Sequence, residues 1–381
     1  MALFQTLDVW INLDGVYILE YCYRRDNNSK VITTIIIISG LQKIHDKLSN
    51  LKPKGEFTML RTISNAFKLT AAIVAIAFSF SVSAAECPRG TLDAKYCDRD
   101  GDLTADLPLN ESEWSNPSTL IFAYTPVEDP AVYAKVWDGF IAHMAKTTGK
   151  KVMFFPVQSN AAQIEAMRSG RLHVAGFNTG SNPLAVSCAG LVPFAMMASE
   201  DGSFGYEMEI IVPAGSDIKS PSDISGKTLA LTSPTSNSGN KAPSALLKSE
   251  FGLVKDVDFK TTFSGKHDNS VLGIANNDYE VAAVANSVLN RMIKRDVVKA
   301  DQIRTIYKSQ TFPTTGYGYA HDLDPKLVAK IKQAFFTFEW AGSDLKKEFK
   351  KEGKFISIHH KNDWDVIRKI DAANGVSYAC K

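Results

Sequence analysis

Between residues 119 and 287 one pattern recurs: a short apolar run closes on hydroxyl and amide side chains, then gives way to helical spacing. The run at 119–123 ends in Tyr124-Thr125, and that at 172–177 enters Asn178-Thr179. The run at 229–231 enters the polar stretch 233–239, and that at 281–285 enters Asn286-Ser287. Strand–helix alternation with short connections predicts a mainly parallel sheet wrapped by helices. In such sheets ligands bind beyond the carboxyl ends of the strands, where these polar residues fall. A chain of 381 residues with 45% hydrophobic content can bury more than one core, so two lobes are expected.

The most informative of these stretches is Leu229-Ala-Leu-Thr-Ser-Pro-Thr-Ser-Asn-Ser-Gly239, followed by a helical pattern on Ala242, Ala245, Leu246 and Leu247. The first backbone N–H groups of a helix lack internal partners, and the helix dipole favours negative charge there. Ser236, Asn237 and Ser238 add neutral side-chain donors to such an anion seat. The plainer reading is an ordinary turn with an N-cap, since Ser and Asn serve in both.

The N-terminus reads as a separate matter. A basic segment at 59–68, an apolar run at 69–80 and a small-residue site at 82–84 have the three-part layout of a secretory signal peptide starting at Met59. Residues 1–58 then read as a mis-called upstream extension; an uncleaved anchor or a small domain is the rival. The apolar run at 31–38 is long enough for a strand but not for a membrane span. Without residues 1–84 the chain carries 34 basic against 35 acidic residues, a net charge of −1. Neither that nor the full chain's +2 supports nucleic-acid binding. Export predicts a periplasmic, disulfide-bearing protein. Nothing in the pattern calls for a partner copy, so a monomer is expected.

Four cysteines remain in the exported part, which allows three pairings. The favoured one joins the local pair Cys87–Cys97 and ties the C-terminus to the first lobe through Cys188–Cys380. The segment 85–116 is a Cys- and Asp-rich preface. Within it Asp98, Asp100, Asp102 and Asp106 repeat the oxygen spacing of compact calcium loops, although the bidentate Glu of an EF-hand is absent. The alternatives are a calcium site and a solvated acidic turn; no cofactor is required by the rest of the chain. Lobe 1 is expected over 117–212 plus 316–381 and lobe 2 over 213–315, with the Gly- and aromatic-rich stretch at 312–319 crossing back.

Enzyme motifs fail on spacing. The stretch at 225–228 ends like a P-loop, but Pro221 stands where its first Gly is needed, and Thr235 replaces the first Gly of a nucleophile elbow. The adjacent His359 and His360 point to opposite faces if they lie on one strand. His267, beside Asp268, is the one acid/base candidate. Tyr124, Thr125, Asn178, Thr179, the 236–238 turn and His267 therefore converge on one predicted crevice without an Arg or Lys cluster. That is what a solute-binding protein of an importer needs.

The residues also resemble a family. The 229–239 stretch resembles the strand–Ser-x-Ser-Gly–helix motif of PhnD-type phosphate/phosphite/phosphonate-binding proteins, and the 263–267 stretch resembles that family's histidine strand end. The stretches 163–175 and 222–230 are similar to its first-lobe helix and its entry to lobe two. The resemblance spans about 118–375. It implies an α/β, two-lobed, type II-like periplasmic-binding-protein fold with a ligand cleft between the lobes. It also implies a phosphorus oxyanion gripped by Ser236, Asn237, Ser238 and His267 with Tyr124 opposite, and a permease as partner. Aminophosphonate binders of the family offer a carboxylate to the ligand's ammonium; Asn286 stands at a natural position for it, which leans towards phosphate, phosphite or a small alkylphosphonate. Glu128, Asp129 or Asp268 could still supply that charge. A binder of another small anion or organic solute is the near alternative, and a secreted hydrolase using His267 with a Ser the distant one.

Overall fold

The computed structural model describes residues 87–380 and, ahead of them, four backbone strands: β1 (Asn12–Leu13), β2 (Val16–Tyr17), β3 (Leu19–Arg25) and β4 (Asn28–Thr34). Strands β3 and β4 form an antiparallel hairpin with Arg25 opposite Asn28. The expected signal peptide, 59–84, lies outside the described residues. The chain divides into two units, Met1–Ser83 and Ala84–Lys381.

The strands of the second unit are β5 (Thr119–Ala123), β6 (Lys151–Phe154), β7 (Val174–Phe177), β8 (Leu191–Ala198), β9 (Tyr206–Pro213), β10 (Thr228–Leu231), β11 (Lys260–Phe263), β12 (Val281–Ala285), β13 (Ile303–Phe312), β14 (Gly316–Ala320) and β15 (Lys354–Ser357). Its helices are α1 (Asp138–Thr148), α2 (Asn160–Arg168), α3 (Asn182–Ala189), α4 (Ala242–Phe251), α5 (His267–Ala275), α6 (Asn286–Lys294), α7 (Pro325–Phe336), α8 (Asp344–Glu348), α9 (His360–Asp363) and α10 (Asp365–Ala373).

Two sheets define two lobes. The first has the order β15-β8-β14-β7-β5-β6, the second β11-β10-β12-β9-β13. Each holds a parallel trio, β6-β5-β7 in one and β11-β10-β12 in the other, flanked by antiparallel strands. The chain crosses between sheets after β8 and returns between β13 and β14. Both trios therefore present their carboxyl ends as the polar termini anticipated from sequence. Strand β9 pairs with β12 and β13, so the first crossing lies before Tyr206 and not at 212/213 as expected. The C-terminal helix also departs from its expected lobe: Trp364, Ile367 and Ile370 are buried with Ile210, Leu229 and Leu247 of the second lobe.

The first lobe's core is aromatic. Phe122 on β5 packs against Trp137 and Phe140, with ring centroids 4.8 and 5.7 Å away, and Tyr317, Phe335 and Phe355 continue the cluster. Val132 lies on a 3₁₀ turn (Pro130–Val132) capped by Asp129, and α1 starts at Asp138. The preface docks on this lobe: Leu92 and Tyr96 enter its core, and the Asp93 N–H donates to the Ser187 carbonyl at 2.9 Å. Disulfides Cys87–Cys97 and Cys188–Cys380 are both formed, the second closing a sequence separation of 192 residues. Among the described residues no helix is long and apolar enough to cross a membrane.

Candidate functional site

The loop after β10 builds the site's floor. Ser236 is the N-cap of a π-helical turn, Asn237–Lys241, that runs directly into α4; its hydroxyl oxygen accepts the Gly239 N–H at 3.0 Å. A wide turn of this kind opens the helix start, a device common at functional sites. Gly239 is needed there because a Cβ would fall 1.9 Å from the Thr232 hydroxyl. Ser236, Asn237 and Ser238 are all buried and all line a cavity of about 90 Å³ between the two sheets. By the ~10–15 Å³ that one water centre occupies, this is room for a ligand of a handful of heavy atoms.

His267 is the first residue of α5 rather than the last of a strand. Its Nδ1 accepts the Ala285 N–H at 3.2 Å, so the neutral ring carries its proton on Nε2, which lies 3.5 Å from the Ser236 hydroxyl. Burial pushes its pKa down to about 4, outweighing the pull of Glu128. At neutral pH His267 is therefore an uncharged donor at the cavity wall, where it belongs to the lining.

From the first lobe, Tyr124 lines the cavity and packs edge-on to Tyr133 at 4.7 Å. Burial raises its hydroxyl to about 12, which keeps it a neutral phenol. Asn178 and Thr179 also line the cavity, but their side chains are spoken for. The Asn178 amide nitrogen donates to Thr125 (3.2 Å) and Asn160 (2.7 Å), and its oxygen accepts the Ser181 N–H (3.0 Å). Thr179 donates its hydroxyl to the Pro313 carbonyl at 2.7 Å. Gly180 brings the lobes into contact: a Cβ there would meet the Thr235 carbonyl at 2.3 Å and the Asn237 nitrogen at 2.4 Å.

Two expected residues do not reach the cavity. Thr125 is fully buried behind Asn178, with its hydroxyl oxygen accepting both the Asn178 N–H and amide. Asn286 turns towards β9, accepting the Glu207 N–H at 3.1 Å and donating to its carboxylate at 3.2 Å. Because α6 starts at that residue, each step rotates the side chain by about 100°. Ser287, Val288 and Arg291 take the cavity face instead.

Arg291 is the main departure from a cleft without cations. It lines the cavity, yet its guanidinium is held by Glu128 of the other lobe (2.9 Å), by the Tyr133 hydroxyl (3.1 Å) and by Glu348 (3.5 Å). Arg295 joins Glu128 and Glu348 in the same cluster. Burial pushes the Glu128 carboxyl up, but Arg291, the Tyr133 hydroxyl and Arg295 together outweigh it and hold it below the usual carboxylate range. Two arginines and two carboxylates thus cancel, and the turn at 236–238 itself presents only neutral donors. Lys266 and Glu352 complete the charged lining.

In the acidic loop, ligand atoms of Asp98, Asp100 and Asp102 come within 4.8 Å of one another. Asp106 does not join them: its carboxylate accepts the Arg99 N–H at 2.8 Å and pairs with the Arg99 guanidinium at 3.0 Å. Asp98 accepts the N–H groups of Asp102 and Leu103, and Lys361 donates to the Gly101 carbonyl at 2.8 Å. Three carboxylates fall short of the 6–8 oxygens that calcium takes, so further oxygens would have to come from the backbone or water.

Two lobes joined by two crossings, closed over a small polar cavity at the carboxyl ends of both parallel trios, define a solute-binding protein of the periplasmic class. A model of the family described as "ABC transporter, phosphonate, periplasmic substrate-binding protein" matches residues 122–363, and the chain belongs to that family. It is 28% identical over 288 residues to the phosphate-import protein PhnD of Mycolicibacterium smegmatis, covering 72% of this chain and 89% of that protein. It is 28% identical over 206 residues to the phosphonates-binding periplasmic protein of Escherichia coli, covering 53% and 61%. Two solved structures share the fold. One is a binding-protein component of an ABC phosphonate transporter from Pseudomonas aeruginosa (TM-score 0.61, 23% identity, 66% of this chain and 85% of that one). The other is PhnD1 from Prochlorococcus marinus in complex with methylphosphonate (TM-score 0.61, 17% identity, 68% and 99%).

Proposed function

We propose that this protein captures a small tetrahedral phosphorus oxyanion, namely phosphate, phosphite or a small phosphonate, and presents it to the permease of an ABC importer outside the cytoplasm. The observation that carries this reading is the start of the π turn, where Ser236, Asn237 and Ser238 line the cavity next to the Nε2–H of His267. Hydroxyls, helix-start amides and a neutral imidazole hold a tetrahedral anion by hydrogen bonds without needing its charge neutralised by a side chain. Tyr124 adds a neutral phenol from the opposite lobe. The names of the relatives, one importing phosphate and one seen with methylphosphonate, support the same chemistry.

The protein acts by binding and release, not turnover. A serine hydrolase needs the imidazole nitrogen facing the Ser hydroxyl to accept its proton, whereas here the Nδ1 lone pair is taken by the Ala285 N–H and Nε2 carries the hydrogen. The leader at 59–84 would deliver residues 85–381 to the periplasm as a monomer. Titration calorimetry with phosphate, phosphite, methylphosphonate and 2-aminoethylphosphonate, with sulfate as control, tests the reading. One-to-one heat with at least one phosphorus anion, and no product by phosphorus NMR, is the expected result; silence with all four rejects it. Ser238→Ala is expected to lower affinity by about 1–3 kcal/mol.

A further inference from the structure

The turn at 236–238 offers neutral donors, but the cavity is not free of negative charge. Glu352 is the one carboxylate among its described lining residues. It stands in the turn after α8, where its N–H donates to the Phe349 carbonyl at 3.2 Å and its own carbonyl accepts the Lys346 Nζ at 2.8 Å. The next residue pins the backbone: the Gly353 N–H donates to the Ala198 carbonyl at 2.8 Å, and a Cβ there would fall 2.2 Å from the Glu200 carboxylate. The Glu352 carboxylate itself takes no hydrogen bond or ion pair among the described residues. Lys346, beside it, is spent on the Glu352 carbonyl and on Glu200, 3.8 Å away. Arg291 is spent on Glu128 and Glu348. Of the acids considered from sequence, Glu128 is thus consumed, Asp129 caps the 3₁₀ turn, and Asp268 accepts the Asp129 N–H at 3.0 Å; none of them lines the cavity. Burial is the main cause that raises the Tyr124 and Tyr317 hydroxyls, and the nearby charge of Glu352 adds to it in both.

A bare carboxylate and a fully deprotonated oxyanion in one small cavity repel each other. Like charges that share a site are relieved when a proton is bound between them, and a cationic group lying there gives the same relief. We propose that Glu352 selects, among small oxyanions, those that bring a hydrogen-bond donor of their own: the P–OH of a singly protonated phosphorus acid, or an ammonium on a short alkyl chain. This rests on the cavity being the oxyanion site. The turn at 236–238 takes the acceptor oxygens of the ligand, and Glu352 takes its donor. Sulfate has the same tetrahedral shape but keeps no proton near neutral pH. It satisfies the turn as well as a phosphorus anion does, and meets Glu352 only with repulsion. The neutral donors therefore supply affinity for any tetrahedral anion, and the unpaired carboxylate rejects the wrong one.

The test compares the wild type with Glu352→Gln, which keeps the shape and exchanges an acceptor oxygen for a donor, and with Glu352→Ala, and uses Ser238→Ala as the reference for the site. Calorimetry is run with phosphate, methylphosphonate and 2-aminoethylphosphonate, each alone and in competition with sulfate. In the wild type, sulfate is expected not to compete with the best-bound phosphorus anion. Both Glu352 variants should lose affinity for that anion by about 10- to 100-fold, and sulfate should compete in Glu352→Gln at least as well as in the wild type. A loss shared by phosphate and methylphosphonate identifies the P–OH as the donor, and a loss confined to 2-aminoethylphosphonate identifies the ammonium; either upholds the proposal. Unchanged affinity in both Glu352 variants alongside a clear loss in Ser238→Ala overturns the role of Glu352 while leaving the oxyanion site standing. Sulfate bound by the wild type as tightly as the phosphorus anions overturns it as well. Unchanged affinity in Ser238→Ala too overturns the site and this inference with it.

Discussion

Glu128, on the loop after β5, and Arg291, on α6, meet at 2.9 Å across the cleft although they stand 163 residues apart. Glu128 is buried and the Arg291 side chain is 12% exposed, and Arg295 and Glu348 extend the pair into a four-charge cluster that bridges the lobes. Removing one partner of a buried pair leaves an uncompensated charge and costs about 3–5 kcal/mol. Glu128→Ala is therefore expected to destabilise the protein by that order in urea unfolding, with little sensitivity to salt. The pH dependence has a defined sign. Glu128 is held below its usual range in the fold, so its stabilisation is present above the unfolded carboxyl pKa and is lost as pH falls through the folded value. The wild type and Glu128→Gln should therefore converge in stability under acid conditions, and a gap that stays constant down to about pH 3, below the ordinary carboxyl range, contradicts this account.

His267 gives a pH dependence of the same sign from a different cause, burial of the neutral ring. Its folded pKa of about 4 lies below the ordinary 6.5, so the unfolded chain takes up a proton first as pH falls. The neutral ring carries no penalty above 6.5; between 6.5 and about 4 the protein loses stability, to a total of roughly 3 kcal/mol. Ligand affinity should show no step attributable to this residue above the ordinary imidazole range, up to about pH 9. His267→Gln, which preserves an N–H donor, should flatten the acid limb of the stability profile. Imidazole NMR that shows a pKa near 6.5 would contradict the buried, neutral assignment.

Much of this site is legible in the sequence, because a polar cluster after an apolar strand needs no tertiary information to be seen. Ser236 to Ser238 and Tyr124 are of this kind, and the cysteines pair as export and spacing favour. What stays hidden depends on geometry that spacing does not carry. Whether Asn286 or Ser287 faces the cleft turns on where α6 starts, since one residue of rotation changes the face. The Ser287/Arg291 spacing of i, i+4 is the available signal for Arg291. Its neutralising partner comes from the other lobe, so no local pattern reveals that the charge is cancelled. Glu352 sits in a turn with neither helical nor strand period. The change of sheet before β9 leaves no mark either, because β8 and β9 are two strands of the same length, eight residues each, that follow one another in the chain.

Gly180 offers a way to separate closure from folding. A methyl group there would collide with backbone of the 235–237 loop, at 2.3 and 2.4 Å, and backbone cannot swing aside as a side chain can. The collision arises only where the two lobes touch. Gly180→Ala should therefore leave the melting temperature of the free protein within a few degrees of wild type while lowering anion affinity more than tenfold. Scattering should show the extended form persisting at saturating ligand. An affinity equal to wild type would mean that the lobes approach differently at this point.

Beneath the anion turn, Lys241 is buried with Asp371 at 2.8 Å and also donates to the Gly180 carbonyl at 2.8 Å. Tyr378 donates to the same Asp371 at 2.7 Å, and Asn374 to the Lys241 carbonyl at 2.9 Å. The C-terminal helix thereby fastens the end of the π turn, while the tail beyond it is disulfide-linked to α3 of the first lobe. Burial lowers the Lys241 pKa, and the charge of Asp371 and its hydrogen bond pull it back up. Lys241→Met should cost about 3–5 kcal/mol, because Asp371 is left buried without its cation. The double variant Lys241→Met/Asp371→Leu should recover most of that stability, since a well-packed apolar pair often equals a buried ion pair. Its affinity for the anion should nevertheless remain below wild type, because the Gly180 carbonyl loses its donor from the second lobe. Full recovery of both stability and affinity would reduce the cluster to packing and remove it from the closing contact.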